Sequence, residues 1–316
     1  MSDRRLQVSL LQVGLTVILA LLMVMVSLTL LELNAEAKHV SGGPGCGGDL
    51  ASLLAIADNG DTIQVLAGSD WDSNNAVITK DVIIQGGWEL VTGTCTSTDT
   101  TGFQFVWPVT RSTIVNPLGA PVVILDPSMQ SLTVQYVDFF NDQGAGGLPG
   151  AGINGVISNS ARVLLDNVVI RDSTTIIGGG LYLEVRGGSQ LILSNVQITG
   201  NSADEGGGFE IHVFDNSQVI IQNSQIATNT ANSGNGGGGR IVIHSGSVTL
   251  ANNAVFNNDA FGSGDGLSVE AVGGGPAYLI LQNNSFSDNN GDDLNISGNI
   301  TVLDKQIFLP IVRRNS

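Results

Sequence analysis

The sequence is poor in the long charged side chains that coat solvent-facing helices: Asp, Glu, Lys and Arg together make up 13% of it. It has three tryptophans, three tyrosines and two cysteines, Cys46 and Cys95. Two cysteines without a CxxC spacing exclude a zinc or redox motif of that type. Basic residues are scarcer than acidic ones, 12 against 28, for a formal net charge of −16. A surface of that sign repels phosphate backbones and anionic lipid, so nucleic acid is not an expected partner. It also argues against a uronic-acid polymer as substrate.

What is abundant points elsewhere. Glycine stands at 42 residues and apolar residues at 42%, which suffices for a core of short strands separated by turns. The one long apolar run lies at the start. Asp3-Arg4-Arg5 is followed by an almost wholly apolar stretch from Val13 to Leu31, then by Ala35-Glu36-Ala37. This is the charged, apolar and small-x-small order of an export signal, although the run is nearly long enough to span a bilayer. Residues 1–37 are therefore read as a signal peptide, or as an anchor if uncleaved, which would be the only membrane contact. Either way the body is expected outside the cytoplasm, extracellular or at the cell surface. In that setting Cys46 and Cys95 form a candidate disulfide.

The body repeats itself. Leu165-Asp-Asn-Val-Val-Ile170, Leu193-Ser-Asn-Val-Gln-Ile198, Ile221-Gln-Asn-Ser-Gln-Ile226, Ala251-Asn-Asn-Ala-Val-Phe256 and Leu281-Gln-Asn-Asn-Ser-Phe286 align. They place Asn167, Asn195, Asn223, Asn253 and Asn283 in one column, with Tyr136 in an earlier, degenerate copy above Phe139. A second polar column reads Asp142, Ser173, Asn201, Asn229, Asp259 and Asn289. Each repeat carries three short alternating runs, such as Leu181/Leu183/Val185, Leu191/Leu193 and Val196/Ile198. Period-two alternation buries one face of a strand. Runs this short share a core only by stacking on the next repeat. The expected fold is thus all-β, a right-handed parallel β-helix of three sheets. Asn suits its corners because it tolerates the left-handed backbone, and stacked amides can bond as a ladder. The glycine runs at 178–180, 206–208 and 236–239 oppose the helix that a leucine-rich repeat needs. Gly262-Ser-Gly-Asp-Gly266 is at best an imperfect single copy of a calcium-binding nonapeptide.

The ends follow. Asp49 to Ala57 reads as a short amphipathic capping helix, with Asp49 as N-cap and Gly60 as its stop. Strands are expected at Thr62–Leu66, Val82–Gln85 and Asn299–Leu303. The β-helix domain would run from residue 38 to 303, with irregular, decorated first coils to about 145 and regular coils from about 150. Residues 304–316, which include Ile307-Phe-Leu-Pro-Ile-Val-Arg-Arg314, would close the core or serve as a sorting tail.

From Gly178 to Asn289 the chain resembles the repeats of the chlamydial polymorphic outer-membrane protein family. The resemblance rests on Gly179-Gly180-Leu181 and Gly207-Gly208-Phe209, and on Phe286-Ser-Asp-Asn289 with softened copies at Ile198–Asn201, Ile226–Asn229 and Phe256–Asp259. The opening, Gly60-Asp-Thr-Ile-Gln-Val-Leu-Ala-Gly68 through Val82-Ile-Ile-Gln-Gly-Gly-Trp88, is similar to the first coil of pectin-lyase-like proteins. These likenesses imply the fold; for activity they imply little, because one fold hosts lyases, hydrolases, adhesins and inert stalks.

A lyase of that kind needs clustered carboxylates for calcium beside an arginine, and the later equivalents of Arg171 hold none. A hydrolase needs neighbouring aspartates, whereas Asp204 and Asp292 share a column three coils apart. One column does gather chemistry. If Leu181, Phe209, Ile241 and Leu267 are equivalent, then Glu184, His212, His244 and Glu270 stack on an outer sheet face with Glu210 beside them. Two imidazoles flanked by carboxylates could hold calcium or another divalent metal, or move protons; the competing reading is an ordinary solvated face. No other cofactor is indicated, and Trp71, Trp88 and Trp107 are expected to pack rather than to form a sugar platform. The favoured function is a non-catalytic, monomeric rod that binds an extracellular polysaccharide or surface protein. The alternative is a polysaccharide lyase or glycoside hydrolase working from the outer face.

Overall fold

The computed structural model describes residues 39–304 apart from 43–48, 68–69, 91–102, 106–110, 117, 142–143 and 146. Residues 1–38, the segment from residue 305, Cys46, Cys95, Trp107 and Asp142 lie outside the described residues. The fold is the expected right-handed parallel β-helix with a short N-terminal helix.

One coil shows how it is built. Gln190–Ser194 lies in a first sheet, Gln197–Thr199 in a second and Phe209–Val213 in a third, and Ser217–Gln222 returns to the first sheet beside its starting point. Among the described residues the first sheet has eleven strands and the next two have eight each, and a fourth, short sheet pairs Ser202–Ala203, Thr230–Ala231 and Asp259–Ala260. Alternate residues point inward and stack on their equivalents. Val163, Leu191, Val219, Val248 and Leu279 form one such row of fully buried side chains. Phe139, Ile170, Ile198, Ile226 and Val255 form another, with Phe139 against Ile170 as the repeat predicted. Because every coil buries its apolar face on its neighbours, one continuous core runs along the solenoid.

The corners refine the asparagine columns. Tyr136, Asn167, Asn195, Asn223, Asn252 and Asn283 all adopt the left-handed backbone, with φ between 50 and 56°. The fourth asparagine of the expected column is therefore Asn252, not Asn253. Asn253 stands one place further on, between Ser224 and Asn284, in a ladder of its own: Ser224 N–H donates to Asn253 Oδ1 and Asn253 N–H to Asn284 Oδ1, each at 3.0 Å.

The second polar column shifts similarly. Asn258, not Asp259, follows Asn229, in the series Ser173, Asn201, Asn229, Asn258 and Asn289. Each backbone N–H donates to the Oδ1 of the asparagine on the next coil, over steps of 28, 28, 29 and 31 residues. Coils that differ by one or two residues thus stay in register through their amides. A buried aspartate at 259 would bring a charge and no N–H donor, whereas Asn258 Nδ2 reaches Ile226 O and Asn289 Oδ1 at 3.0 Å.

The N-terminal helix α1 (Leu50–Ile56) covers the first coil with buried Leu50, Leu53 and Leu54. Asp49 caps it, its Oδ1 accepting from Ser52 N–H and its Oδ2 from Asn74 Nδ2, both at 2.7 Å. Burial works to raise the Asp49 pKa, but these bonds outweigh it and hold the pKa below the usual carboxylate value. The helix stops at Ile56 with Ala57 already extended, and Gly60 sits in the turn beyond. The stop is Lys80, which donates to the carbonyls of Leu54, Ala55 and Ala57, a cation on the negative end of the helix.

The first coils carry one extra strand among the described residues. Val82–Leu90 takes an antiparallel partner, Phe103–Phe105, and Trp88 packs edge-on to Phe105 at 5.7 Å. Trp71 is core. The expected Cys46–Cys95 disulfide is corrected: no disulfide is present among the described residues, and both cysteines lie outside them. Among the described residues the first coil is held by helix packing, the Lys80 bonds and the parallel pairing of His39–Gly42 with Thr62–Leu66. At the other end the last strand is Thr301–Asp304, paired with Ala277–Gln282.

Candidate functional site

The outer face of the third sheet carries the chemistry, in a register that differs from the expected one. Leu181 pairs with Phe209, and Gly239 with Leu267; Ile241 instead pairs with Ile211 and Val269. The inward place that follows Phe209 is thus taken by Gly239. A Cβ there would stand 2.3 Å from ring carbons of Phe209, so the large residue on one coil requires glycine on the next. The consequence is a correction to the column: it reads Glu184, His212, Val242, Glu270, while His244 lies two residues beyond, past the end of the strand Gly239–Ile243. The neighbouring outward column is Tyr182, Glu210, Arg240 and Ser268.

Arg240, which sequence reasoning passed over, is the centre of this face. Its guanidinium reaches Glu205 at 2.8 Å, Glu210 at 3.0 Å and Glu270. Burial alone would depress its pKa; the charges of Glu210, Glu270 and Glu205 overcome that and raise it above its ordinary value. Glu210 is 2% exposed and its Oε1 is shared between Arg240 and His212, whose Nε2 is 2.7 Å away. Glu210 Oε2, Arg240 Nε and Ser268 Oγ are buried without a hydrogen-bond partner. A buried carboxylate in this setting depends on its cation: removing one partner of such a pair costs about 3–5 kcal/mol.

The histidines lie beside this cluster. His212 Nδ1 and His244 Nε2 face each other at 3.4 Å. Phe214, also unanticipated, stacks on His244 with centroids 4.1 Å apart and planes 8° from parallel. Burial first, and then the proximity of His212, depress the His244 pKa; Glu270 and Glu184 offset only part of this. Glu184 is engaged by Arg186. Tyr182 is 3.4 Å from Glu184, and its pKa is pushed up to about 12 by burial and by Glu184 and Glu210, so its proton stays in place at neutral pH. The structure therefore brings together all five sequence-nominated residues, but ties the three glutamates to arginines. Among the described residues no group of three or more His, Cys, Asp or Glu could hold a metal ion. The guanidinium of Arg240 bridges Glu205, Glu210 and Glu270.

A second outer cluster was missed for a different reason. Arg171 has no carboxylate on later coils, but on the preceding coil Asp138 bonds its Nε at 2.8 Å, and Asp172 bonds Nη1 at 3.0 Å. Phe140 lies under the guanidinium at 4.7 Å. Burial raises the Asp138 pKa despite Arg171. The pair joins Arg171 to the coil before it, whereas the equivalents of Arg171 on later coils carry no carboxylate.

Comparison with known proteins agrees with the architecture. No curated protein and no solved structure matches the chain. The family described as the right handed beta helix region matches residues 122–307, more than half of the sequence. With three long sheets of stacked parallel strands, one core and coil-to-coil ladders already evident, the chain belongs to the right-handed β-helix family.

Proposed function

We propose that the protein is an exported, non-catalytic β-solenoid that acts by binding, as a rigid rod presenting its loops and outer faces to an extracellular polysaccharide or a surface protein. The observation that carries this reading is the neutralisation of the outer-face carboxylates: Glu205, Glu210 and Glu270 converge on Arg240, and Glu184 meets Arg186. A carboxylate held by a guanidinium is a poor general base or nucleophile. The hydrolytic mechanism of the alternative reading needs two free carboxyl groups across a scissile bond. The export signal and the resemblance to surface-protein repeats support the location. The alternative, a polysaccharide lyase or glycoside hydrolase, draws its support from Tyr182, His212, Phe214 and His244, which gather rings and imidazoles on one face.

One experiment separates the two. Purified protein is incubated with polyuronates and with neutral plant and bacterial glycans, with and without chelator, and products and bound glycan are both measured. Binding or retention without chain cleavage is expected, unaffected by His212→Ala. Turnover that disappears in His212→Ala and His244→Ala would replace the binding reading with the enzymatic one.

A further inference from the structure

We infer that His212 and His244 form a two-histidine site for a transition-metal cation that favours imidazole, such as Cu²⁺, Ni²⁺ or Zn²⁺. The inference goes beyond the proposed function and does not depend on what the loops bind.

The argument begins with a tautomer. Nε2 of His212 stands 2.7 Å from Glu210 Oε1. An ionised carboxylate only accepts, so the hydrogen of neutral His212 resides on Nε2 and its Nδ1 carries a lone pair. A buried carboxylate that orients an imidazole through its far nitrogen is the usual outer partner of a metal-bound histidine. Here Glu210 is itself held by Arg240 at 3.0 Å.

The free Nδ1 faces His244 Nε2 at 3.4 Å. That is longer than a good N–H···N hydrogen bond. It is close to the separation of two nitrogens each about 2.1 Å from a tetrahedral ion. The ring centroids lie 5.7 Å apart with planes 19° from parallel, so an ion seats when the imidazoles tilt outward to aim both nitrogens at it. The His212 side chain is 20% exposed and has room to make it. Phe214 limits how far the His244 ring can turn.

The pair is also not part of the repeat. On neighbouring coils the equivalents of His212 are Glu184 and Val242, so solenoid closure does not require an imidazole here. With the glutamates engaged by arginines, the protein supplies two ligands, and water completes the sphere. The net charge of −16 favours the approach of a cation.

The test uses the full chain in detergent, without an affinity tag, stripped with chelator and carrying His39→Ala. The pair are then the only histidines, since the sequence has three. Cu²⁺ alone is titrated by calorimetry, and its coordination is read by electron paramagnetic resonance. One ion per chain with two-nitrogen coordination is expected. His212→Ala and His244→Ala should each weaken binding at least about tenfold, a change of about 1.4 kcal/mol, and lose one nitrogen from the spectrum. Glu210→Gln should weaken it about tenfold while both nitrogens remain. Circular dichroism and melting verify that each variant is folded, and the histidine variants decide the matter if Glu210→Gln is not. Binding no tighter than in the His212→Ala/His244→Ala double variant, or unchanged in either single variant, would overturn the assignment.

Discussion

Two rows of polar side chains run along this solenoid, and they are built on opposite principles. The inner row, Ser173 followed by Asn201, Asn229, Asn258 and Asn289, repeats asparagine on four successive coils with one bonding pattern. Asn229 shows the completeness of that pattern: its Nδ2 donates to Ile198 O and Asn258 Oδ1, and its Oδ1 accepts from Asn201 N–H and Nδ2. The outer row on the third sheet changes residue at every coil, pairs charges of opposite sign, and leaves Glu210 Oε2 and Arg240 Nε unpartnered. A polar row that repeats is solving the same packing problem on each coil. A polar row that does not repeat answers to something local, and the outer row is where the chemistry lies.

Three measurements sharpen or break that contrast. The largest effect is expected in the outer row: Arg240→Ala strands Glu210 as an uncompensated buried charge, and denaturant unfolding should show a loss of about 3–5 kcal/mol. A loss below about 1 kcal/mol would mean that the face is solvated and the pair merely superficial. Next comes Asn229→Ala in the inner row. It takes the acceptor from the buried Asn201 N–H and one donor from Ile198 C=O, for about 2–3 kcal/mol by the same assay; a neutral result would show that the ladder follows the register rather than holding it.

The smallest effect is a pH dependence, measured in chelator. The depressed pKa of His244 means that the folded protein takes up its proton at lower pH than the unfolded chain does. As pH falls below about 6.5, the unfolded state binds the proton first. Stability contributed by neutral His244 is therefore complete above that value and declines below it, until the folded pKa is passed. His244→Ala should flatten this decline between pH 7.5 and 5.5; an unchanged slope would assign it to other groups.

Particular residues show how far the sequence could be read. Phe139 over Ile170, Tyr136 at a corner and Asp49 as a helix cap were all legible, because each expresses a local rule: alternation, left-handed tolerance, capping. Asn253 and Asp259 were each misplaced by one position. Coil length steps from 28 to 29 and then to 31 residues, and in a run of consecutive asparagines nothing local tells which one turns the corner. His244 was placed in the wrong column because Gly239 does not look like a core residue. Its role exists only because the Phe209 ring fills the space beneath it.

By itself the sequence determined the architecture: three short apolar alternations per repeat can be buried only by stacking coil on coil. The tertiary structure alone decided what the outer face can do. Arg240 and the glutamates on three different chain segments, or His212 and His244 across two coils, become neighbours through register. Register depends on which side chain leaves room for which, a property of pairs of coils that no single repeat contains.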